Sequence, residues 1–470
     1  MSAAARWFRG DSGKRSWRKG RRPRRALLVG LVSVGLLAAA CSSSPSTSAT
    51  STSAGSGGSG SAPGGQTAQG VTSNSITVGV DAPLSGFAGF LGKEFTGPIQ
   101  AYFDMVNAQG GVNGRMLKLD ILDDQFSSTQ AAANVRRLVS QDNVFALFGS
   151  FSDPYNDYVV HLGIPTYVFG VTIKPFESKY PNVYPLVGNA LAWTLDSIAG
   201  LKQQHLFKPG MRVAILYDSQ VVDVSPYVPD FVKAWQAAGA DVVSTDSYSI
   251  TSGDCTPLIL KMRSLHVDYW DFDTLGWPLC VSAAQRLGYR PTIGWGSWAT
   301  SVAGLATLAG PWVNGVWGGD EANQPNGQPG GNGTTLAAET QYVNAIKQYA
   351  PALNDEADLE SPATTGYWSG AAMLVAAIKA QGRNVTWSGV NRWMAQLHNF
   401  PTGIMPPIQS MAPKCKQGQP AVWFGQWHWD AQTKSAVRSP ATGWVYPADT
   451  GVFAKNASCW LTETSDQLAG

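Results

Sequence analysis

The sequence predicts an α/β protein with two doubly wound, Rossmann-like lobes. Two observations carry this prediction. Short β-branched runs alternate with segments of helical period, and the whole alternation occurs twice along the chain. Such alternation is typical of a parallel sheet that helices cover on both faces. About 395 residues follow residue 75, which is long for one hydrophobic core and suits two domains.

The first alternation lies within residues 76–169. Its strand candidates are short apolar runs, and its helix candidates place apolar residues three or four positions apart. Gly110 and Gly111 end the first helix candidate. The predicted strands are residues 76–80, 116–122, 144–148 and 164–169, and the predicted helices are residues 94–108, 129–140 and 157–162.

The second alternation repeats the same order within residues 212–287. Its predicted strands are residues 212–217, 241–248 and 267–272, and its predicted helices are residues 228–238, 255–265 and 279–287. Further helices are expected at residues 336–349 and 364–380. Trp423, Trp427 and Trp429 alternate along what we interpret as a core strand.

The N-terminus has the pattern of an export signal. Ten Lys/Arg within residues 1–25 precede the uncharged stretch 26–40, which is too short to cross a bilayer. Cys41 follows three alanines, an arrangement that resembles the lipobox of bacterial lipoproteins, in which the thiol is lipidated. We therefore expect a lipoprotein signal peptide at residues 1–40 and a flexible Ser/Gly/Thr tether at residues 41–73. An ordinary secretory signal is the alternative.

Removal of residues 1–40 changes the charge balance. The whole chain has 34 Lys/Arg and 32 Asp/Glu, and the signal takes ten bases and one acid, which leaves 24 against 31, a net of −7. No basic stripe remains in the mature chain, so nucleic-acid binding is not expected.

Four cysteines remain after Cys41, and an even number in an exported chain favours disulfides. Pairing of sequence neighbours gives Cys255–Cys280 and Cys415–Cys459. A zinc site is not favoured, because no CxxC spacing occurs and the five histidines are scattered. Asp123 and Asp124 follow a predicted strand, where we interpret them as turn-forming residues.

The first half of the chain resembles the leucine/isoleucine/valine-binding family of extracytoplasmic solute-binding proteins. The resemblance spans about 100 residues, and its order and spacing both fit. The segments that carry it are residues 76–79 (ITVG), 83–86 (PLSG), 107–115 (NAQGGVNGR), 123–124 (DD) with the helix after it, 146–149 (ALFG) and 163–165 (GIP).

This resemblance implies a periplasmic binding protein type I fold, in which three crossing segments form a hinge between two lobes. Lobe 1 would comprise residues 74–190 and 299–415, and lobe 2 residues 191–298 and 416–470. Ligands of open α/β sheets lie outside the carboxyl ends of the strands. The helix N-termini there attract anionic groups such as a carboxylate.

The resemblance also implies site residues. Thr172 matches a threonine that binds the ligand head group, and Gly170 stands where the family uses small residues. The family serine after the third strand falls at Ser150, Ser152 or Asp153, and the aromatic residue of the first loop falls near Phe90 or Leu91.

The second lobe departs from the family. The glutamate that pairs with a ligand ammonium falls near Ser297 or Trp298, so either Asp271 or Asp273 replaces it or the ligand is not an ordinary α-amino acid. Trp277, Trp295 and Trp298 lie in the same loops, where they are candidates for stacking on a ligand.

These observations predict a binding protein, lipid-anchored on the extracytoplasmic face of a bacterial membrane. It would capture a small solute, amino-acid-like, amide, or aromatic or carboxylate in nature. As a monomer without cofactor or metal, it would deliver this solute to the permease and ATPase subunits of an ABC importer. A ligand-sensing receptor domain is the alternative. A secreted enzyme is less favoured, since GxSxG, GxxxxGK[ST] and HExxH are absent from the sequence.

Overall fold

Two parallel β-sheets organise the part of the chain that the computed structural model describes. This part comprises residues 68–450, apart from residues 87, 151–155, 173, 221, 321–336, 354–355 and 418–420. All described residues belong to one unit of the chain, Gly64–Gly470. The predicted signal peptide, Cys41, most of the tether, Ser152, Asp153 and Cys459 lie outside the described residues.

The first sheet has five parallel strands in the order β2-β1-β3-β4-β5. The chain runs from β1 outward to β2 and then returns to the other side of β1 with β3, so the strand order reverses beside β1. Such a reversal opens a crevice at the carboxyl ends of the strands. The strands are β1 (Ser75–Ala82), β2 (Met116–Asp123), β3 (Ala146–Gly149), β4 (Thr166–Val168) and β5 (Val183–Pro185).

Helices cover this sheet. The second of them shows why the local sequence folds as it does: the Ser127 side chain caps its first turn by accepting from the Gln130 amide, and Val135 and Leu138 are buried on one face. The helices that follow strands of this sheet are α1 (Gly92–Ala108), α2 (Ser128–Ser140) and α3 (Asn156–Leu162), and later in the chain come α9 (Ala337–Tyr349), α10 (Glu356–Glu360), α11 (Pro362–Ala380) and α12 (Trp387–Ala395).

The second sheet has four parallel strands in the order β7-β6-β8-β9. Its strands are β6 (Arg212–Tyr217), β7 (Asp241–Ser247), β8 (Tyr269–Asp273) and β9 (Gly294–Gly296). The helices of this region are α4 (Ala190–Gln203), α5 (Val228–Ala238), α6 (Thr256–Ser264), α7 (Trp277–Arg286) and α8 (Ala303–Ala309). All five strand residues of β8 are buried.

Two antiparallel sheets complete the described fold. β10 (Trp317–Asp320), β14 (Val422–Asp430) and β15 (Ser435–Val445) form one, and β11 (His398–Phe400), β12 (Ile408–Ala412) and β13 (Cys415–Gln417) form the other. Trp423 and Trp427 are buried, as expected of a core strand.

The two predicted α/β alternations are confirmed, with bounds that differ by a few residues. The sequence did not predict α4, β5, β9, β10, β11, β12, β13 and β15, nor the short helices α8, α10 and α12. Helix α4 is buried on every face from Ala190 to Leu201, so it shows no apolar stripe of helical period. The predicted break at residues 298/299 stays a prediction; α8, which follows it, packs against α7.

The predicted disulfide Cys255–Cys280 is confirmed, with a Cα–Cα distance of 5.0 Å. It joins the start of α6 to α7. Cys415 begins β13, and its predicted pairing with Cys459 stays a prediction because Cys459 lies outside the described residues. Within the described ranges no helix is both long and apolar enough to cross a membrane.

Candidate functional site

A cavity lies between the carboxyl ends of the two parallel sheets. The cavity is small, with a volume of about 20 Å³, so the surrounding elements lie close together in this structure. The start of α1 and the residues after β4 and β5 contribute Leu91, Glu94, Phe95, Phe169, Val171 and Val187. Helix α4 and the loop after β9 contribute Trp193, Trp298 and Val302, and the start of α11 contributes Ser361, Pro362 and Ala363.

The residues after β4 reach this cavity in an alternating pattern. Phe169 and Val171 line it. Gly170 between them has φ +86, and a Cβ atom there would lie 2.8 Å from the Pro185 side chain. Only glycine therefore fits at this turn. Thr172, which follows, is 5% exposed. The predicted loop thus lies at the cavity, and the head-group role of Thr172 stays a prediction.

The residues before α1 also lie near the cavity. Leu91 lines the cavity, whereas the Phe90 ring lies against Gly304 of α8. A Cβ atom on Gly304 would lie 2.7 Å from that ring. Phe90 and Gly304 thus form a contact between the first-sheet region and the second-sheet region, which the sequence alone did not suggest.

Ser150, at the end of β3, is held by a buried carboxyl cluster. Its hydroxyl donates to Asp124 Oδ2 at 2.6 Å, and Asp124 lies close to Asp81 at the end of β1. Asn134 Nδ2 donates to Asp81 Oδ1 at 2.8 Å. Burial, together with the Asp124 charge, raises the pKa of Asp81 to about 8. Burial also raises the pKa of Asp124.

The end of β8 carries a second pair of buried acids, Asp271 and Asp273, which share one face of the strand. The Asp271 carboxylate accepts from Trp235 Nε1 at 2.7 Å, and Ser297 Oγ donates to Asp273 Oδ1 at 2.8 Å. Burial raises the pKa of Asp271 to about 6. Burial and the Asp271 charge together raise the pKa of Asp273 well above its usual range.

The tryptophans predicted for stacking divide between two environments. Trp298 lines the cavity, with its indole beside the Asp273 carboxyl. Trp277 is fully buried, and its indole donates to the Ala299 carbonyl at 2.9 Å; it is not among the residues that line the cavity. Trp295 is 4% exposed and borders a separate groove near Arg290.

Sequence reasoning missed Glu94, Trp193 and Ser361 at the cavity. Ser361 Oγ donates a short hydrogen bond to Glu94 Oε2. Trp193 lies on α4, which carried no periodic signal, and Ser361, with its neighbours Pro362 and Ala363, is distant in sequence from the other cavity residues. Within the described part of the chain, no group of three His, Cys, Asp or Glu residues is arranged to hold a metal ion.

Comparison with known proteins identifies similar sequences and folds. The family model described as periplasmic binding protein matches residues 75–434. The Leu/Ile/Val-binding protein homolog 7 of Brucella abortus is 26% identical over 234 residues, which are 46% of this chain and 57% of that protein. The homolog 8 of the same species is 28% identical over 229 residues, 44% and 54% of the two chains. The match thus spans little more than half the length of these relatives.

Solved structures share the fold over most of the chain. The fatty acid ABC transporter substrate-binding protein from Thermomonospora curvata has a TM-score of 0.68 at 18% identity, covering 83% of this chain and 96% of its own. A branched chain amino acid ABC transporter protein from Thermus thermophilus with bound valine has a TM-score of 0.67 at 16% identity, covering 81% and 98%. A solute binding protein from R. palustris in complex with benzoate has a TM-score of 0.61 at 17% identity, covering 79% and 98%.

Proposed function

This chain belongs to the periplasmic binding protein family, and from that premise we propose that it captures a small solute between two lobes and delivers it to an ABC importer. The observation that carries the proposal is the cavity at the carboxyl ends of both parallel sheets, lined from the first-sheet region, the second-sheet region and the start of α11. Ligands of open α/β sheets occupy this position.

The proposed lobes are joined by three crossing segments. Their predicted positions are the boundaries between the two lobes, at residues 190/191, 298/299 and 415/416. Helices α9 and α11 pack against α1, whereas α4 packs against α5 and β15. Three such crossings would form a hinge that lets the two lobes close on a solute.

The proposed solute is small and amino-acid-like, amide, or aromatic or carboxylate in nature. Phe95, Phe169, Trp193 and Trp298 supply aromatic and apolar surface to the cavity. Such surface favours a flat or apolar body over a small zwitterion. We therefore expect negligible binding of leucine, isoleucine and valine at millimolar concentration.

A thermal-shift screen tests the function directly. Amino acids, amides, ureas, aromatic acids, fatty acids and sugars would each be added to the mature protein. A solute at about 100 times its dissociation constant should stabilise the folded state by about 2.7 kcal/mol. The proposal is overturned if no solute of any class stabilises the protein while the thermal transition itself is cooperative.

We further propose that Cys41 is lipidated, so that the protein works as a monomer tethered to the extracytoplasmic face of the membrane. The support is the run Ala38-Ala39-Ala40-Cys41 followed by an uncharged segment. Cys41→Ala should release the protein into the medium or block removal of the signal. Cell fractionation checks this, and a Cys41→Ala protein that is processed normally and still membrane-bound would contradict it.

A further inference from the structure

The cavity holds an acid and no base. Of the twelve described residues that line it, Glu94 is the only one with an ionisable side chain. Glu94 is 1% exposed, and its carboxylate accepts from Ser361. Lysine, arginine and histidine are absent from this lining, so the lining offers a carboxylate ligand no cationic side chain.

Ser361 at the cavity, Ser150 after β3 and Ser297 after β9 each donate their hydroxyl hydrogen to a buried acid. Ser361 donates to Glu94, Ser150 donates to Asp124 at 2.6 Å, and Ser297 donates to Asp273 at 2.8 Å. All six side chains are at most 3% exposed. A serine hydroxyl has one hydrogen to donate and two lone pairs to accept with. In this arrangement each of these oxygens keeps lone pairs that can accept a further hydrogen bond.

Two bases on neighbouring described elements are paired with acids. Lys93, beside Glu94 on α1, pairs with Asp358 at 2.5 Å. Arg438 on β15 is 8% exposed and pairs with Asp320. The buried acids Asp81, Asp124, Asp271 and Asp273 lie at the carboxyl ends of the two sheets, and Glu94 is the acid of the cavity lining.

The aromatic walls point to the same ligand chemistry. Phe95, Phe169, Trp193 and Trp298 present rings to the cavity. Ring faces carry negative partial charge and attract ammonium groups, while they also accommodate an apolar body. A second buried carboxylate, by contrast, would repel Glu94 and would lack a partner for its charge.

From these observations we infer that the solute has an apolar body and a polar head that donates hydrogen bonds and carries no negative charge, as an ammonium or a hydroxyl group does. The inference rests on the proposed function and narrows its ligand class. It excludes free carboxylates at the Glu94 end of the cavity, and it excludes zwitterionic amino acids for the same reason.

Three sets of compounds test the inference; within each set the apolar body is the same and the polar head is an amine, an alcohol or a carboxylate. Calorimetry and thermal shift would compare isoamylamine, isoamyl alcohol and isocaproate; phenethylamine, phenethyl alcohol and hydrocinnamate; and octylamine, octanol and nonanoate. Leucine would serve as the zwitterion of the first body. At least one amine or alcohol should bind about tenfold or more tightly than the carboxylate of the same body. The amine and alcohol arms distinguish an ammonium head from a hydroxyl head.

Two results would overturn the inference. One is a carboxylate that binds as tightly as the amine and alcohol of its body. The other is a panel that shows no binding while a solute from the wider screen stabilises the protein; that outcome leaves the proposed function intact. If neither the panel nor the wider screen yields a ligand, the proposed function fails as well.

Variants test whether Glu94 causes the preference for amines over carboxylates. Glu94→Gln keeps the size and an acceptor oxygen but removes the charge, so the ratio of amine to carboxylate affinity should fall about tenfold or more. Asp104→Asn removes a charge on the same helix outside the cavity lining and should leave the ratio unchanged. Ser361→Ala is the second variant should Glu94→Gln fail to fold, and it should lower affinity for the amine. An unchanged ratio in both variants contradicts the inference.

Discussion

Buried acids are the main residue-scale feature of this protein, and sequence reasoning found them only in part. Asp123 was expected to form a turn, and its carboxylate does accept from the amides of Leu84 and Gln125. Asp124 was given the same interpretation, and its carboxylate likewise accepts from the Phe126 amide, but it also accepts from the Ser150 hydroxyl. Its proximity to Asp81 depends on the parallel register of β1 and β2, in which Ala82 pairs with Asp123. Local sequence carries no signal of that register.

The Asp81 carboxyl should make stability depend on pH. Its pKa is raised to about 8 by burial and by Asp124, with Asp123 also repelling the charge and Asn134 opposing these effects. The unfolded carboxyl titrates near pH ~4. The stability contributed by the protonated form is therefore present below pH ~4 and is lost as the pH rises toward about 8.

Asp81→Asn should remove this dependence, because the amide replaces the protonated carboxyl. Thermal unfolding would be measured between about pH 4 and pH 9. The stability of the variant relative to the wild type should increase as the pH rises and should become constant above about pH 8. Asp104→Asn is the control. A difference between Asp81→Asn and wild type that stays constant with pH would argue against a protonated Asp81.

At the scale of elements, the sequence predicted those strands and helices whose apolar pattern is periodic. Helix α2 is an example, with a capped start and one buried face. Helix α4 was not predicted because it is buried on every face, and β13 was not predicted because three residues are too few to show a pattern. Yet β13 matters, since Lys416 on it is fully buried. Its ammonium donates to the carbonyls of Pro175 and Val183 at 2.8 Å each, and to that of Tyr180.

Replacement of Lys416 should destabilise the first-sheet region. Lys416→Met fills similar volume but removes the ammonium donor from three carbonyls, of which that of Tyr180 keeps the Val183 amide. Each buried carbonyl left without a donor costs about 1–3 kcal/mol. We expect a loss of about 3 kcal/mol or more in denaturant unfolding. Lys118→Met on the exposed side of β2 should cost little. A similar small effect for both variants would show that the carbonyls find other partners.

The disulfide is a second element-scale contribution, because it ties the start of α6 to α7 on either side of β8. The loop closed by Cys255 and Cys280 has a sequence separation of 25 residues, for which loop-closure entropy gives roughly 3 kcal/mol. The double variant Cys255→Ser with Cys280→Ser should have a free energy of unfolding lower by this amount, and its denaturant midpoint should fall accordingly. Equal midpoints for the variant and the oxidised wild type would contradict the assignment.

At the scale of the whole molecule, the alternating pattern was sufficient to predict two α/β lobes. It was not sufficient to place the cavity lining. Glu94 comes from the start of α1, Trp193 from the unpredicted helix α4, and Ser361 from the residue before α11, far along the chain. Only the tertiary fold brings them together, whereas Trp298 and the loop after β4 were located by their position after predicted strands.

Closure of the lobes should depend on the contact between Phe90 and Gly304. A Cβ atom on Gly304 would lie 2.7 Å from the Phe90 ring, so Gly304→Leu should hold the two regions apart without disturbing either sheet. Solute affinity should fall about tenfold or more while circular dichroism stays unchanged. Gly443→Leu, where nothing lies within 4 Å of the added Cβ, is the control.

Small-angle X-ray scattering tests the central claim, that a solute is held between two closing lobes, most directly. The mature protein would be measured alone and with the solute that the thermal-shift screen selects. We predict a smaller radius of gyration with solute for the wild type, and a reduced change for Gly304→Leu. A solute that binds with micromolar affinity, leaves the scattering unchanged and binds Gly304→Leu equally well would contradict the account.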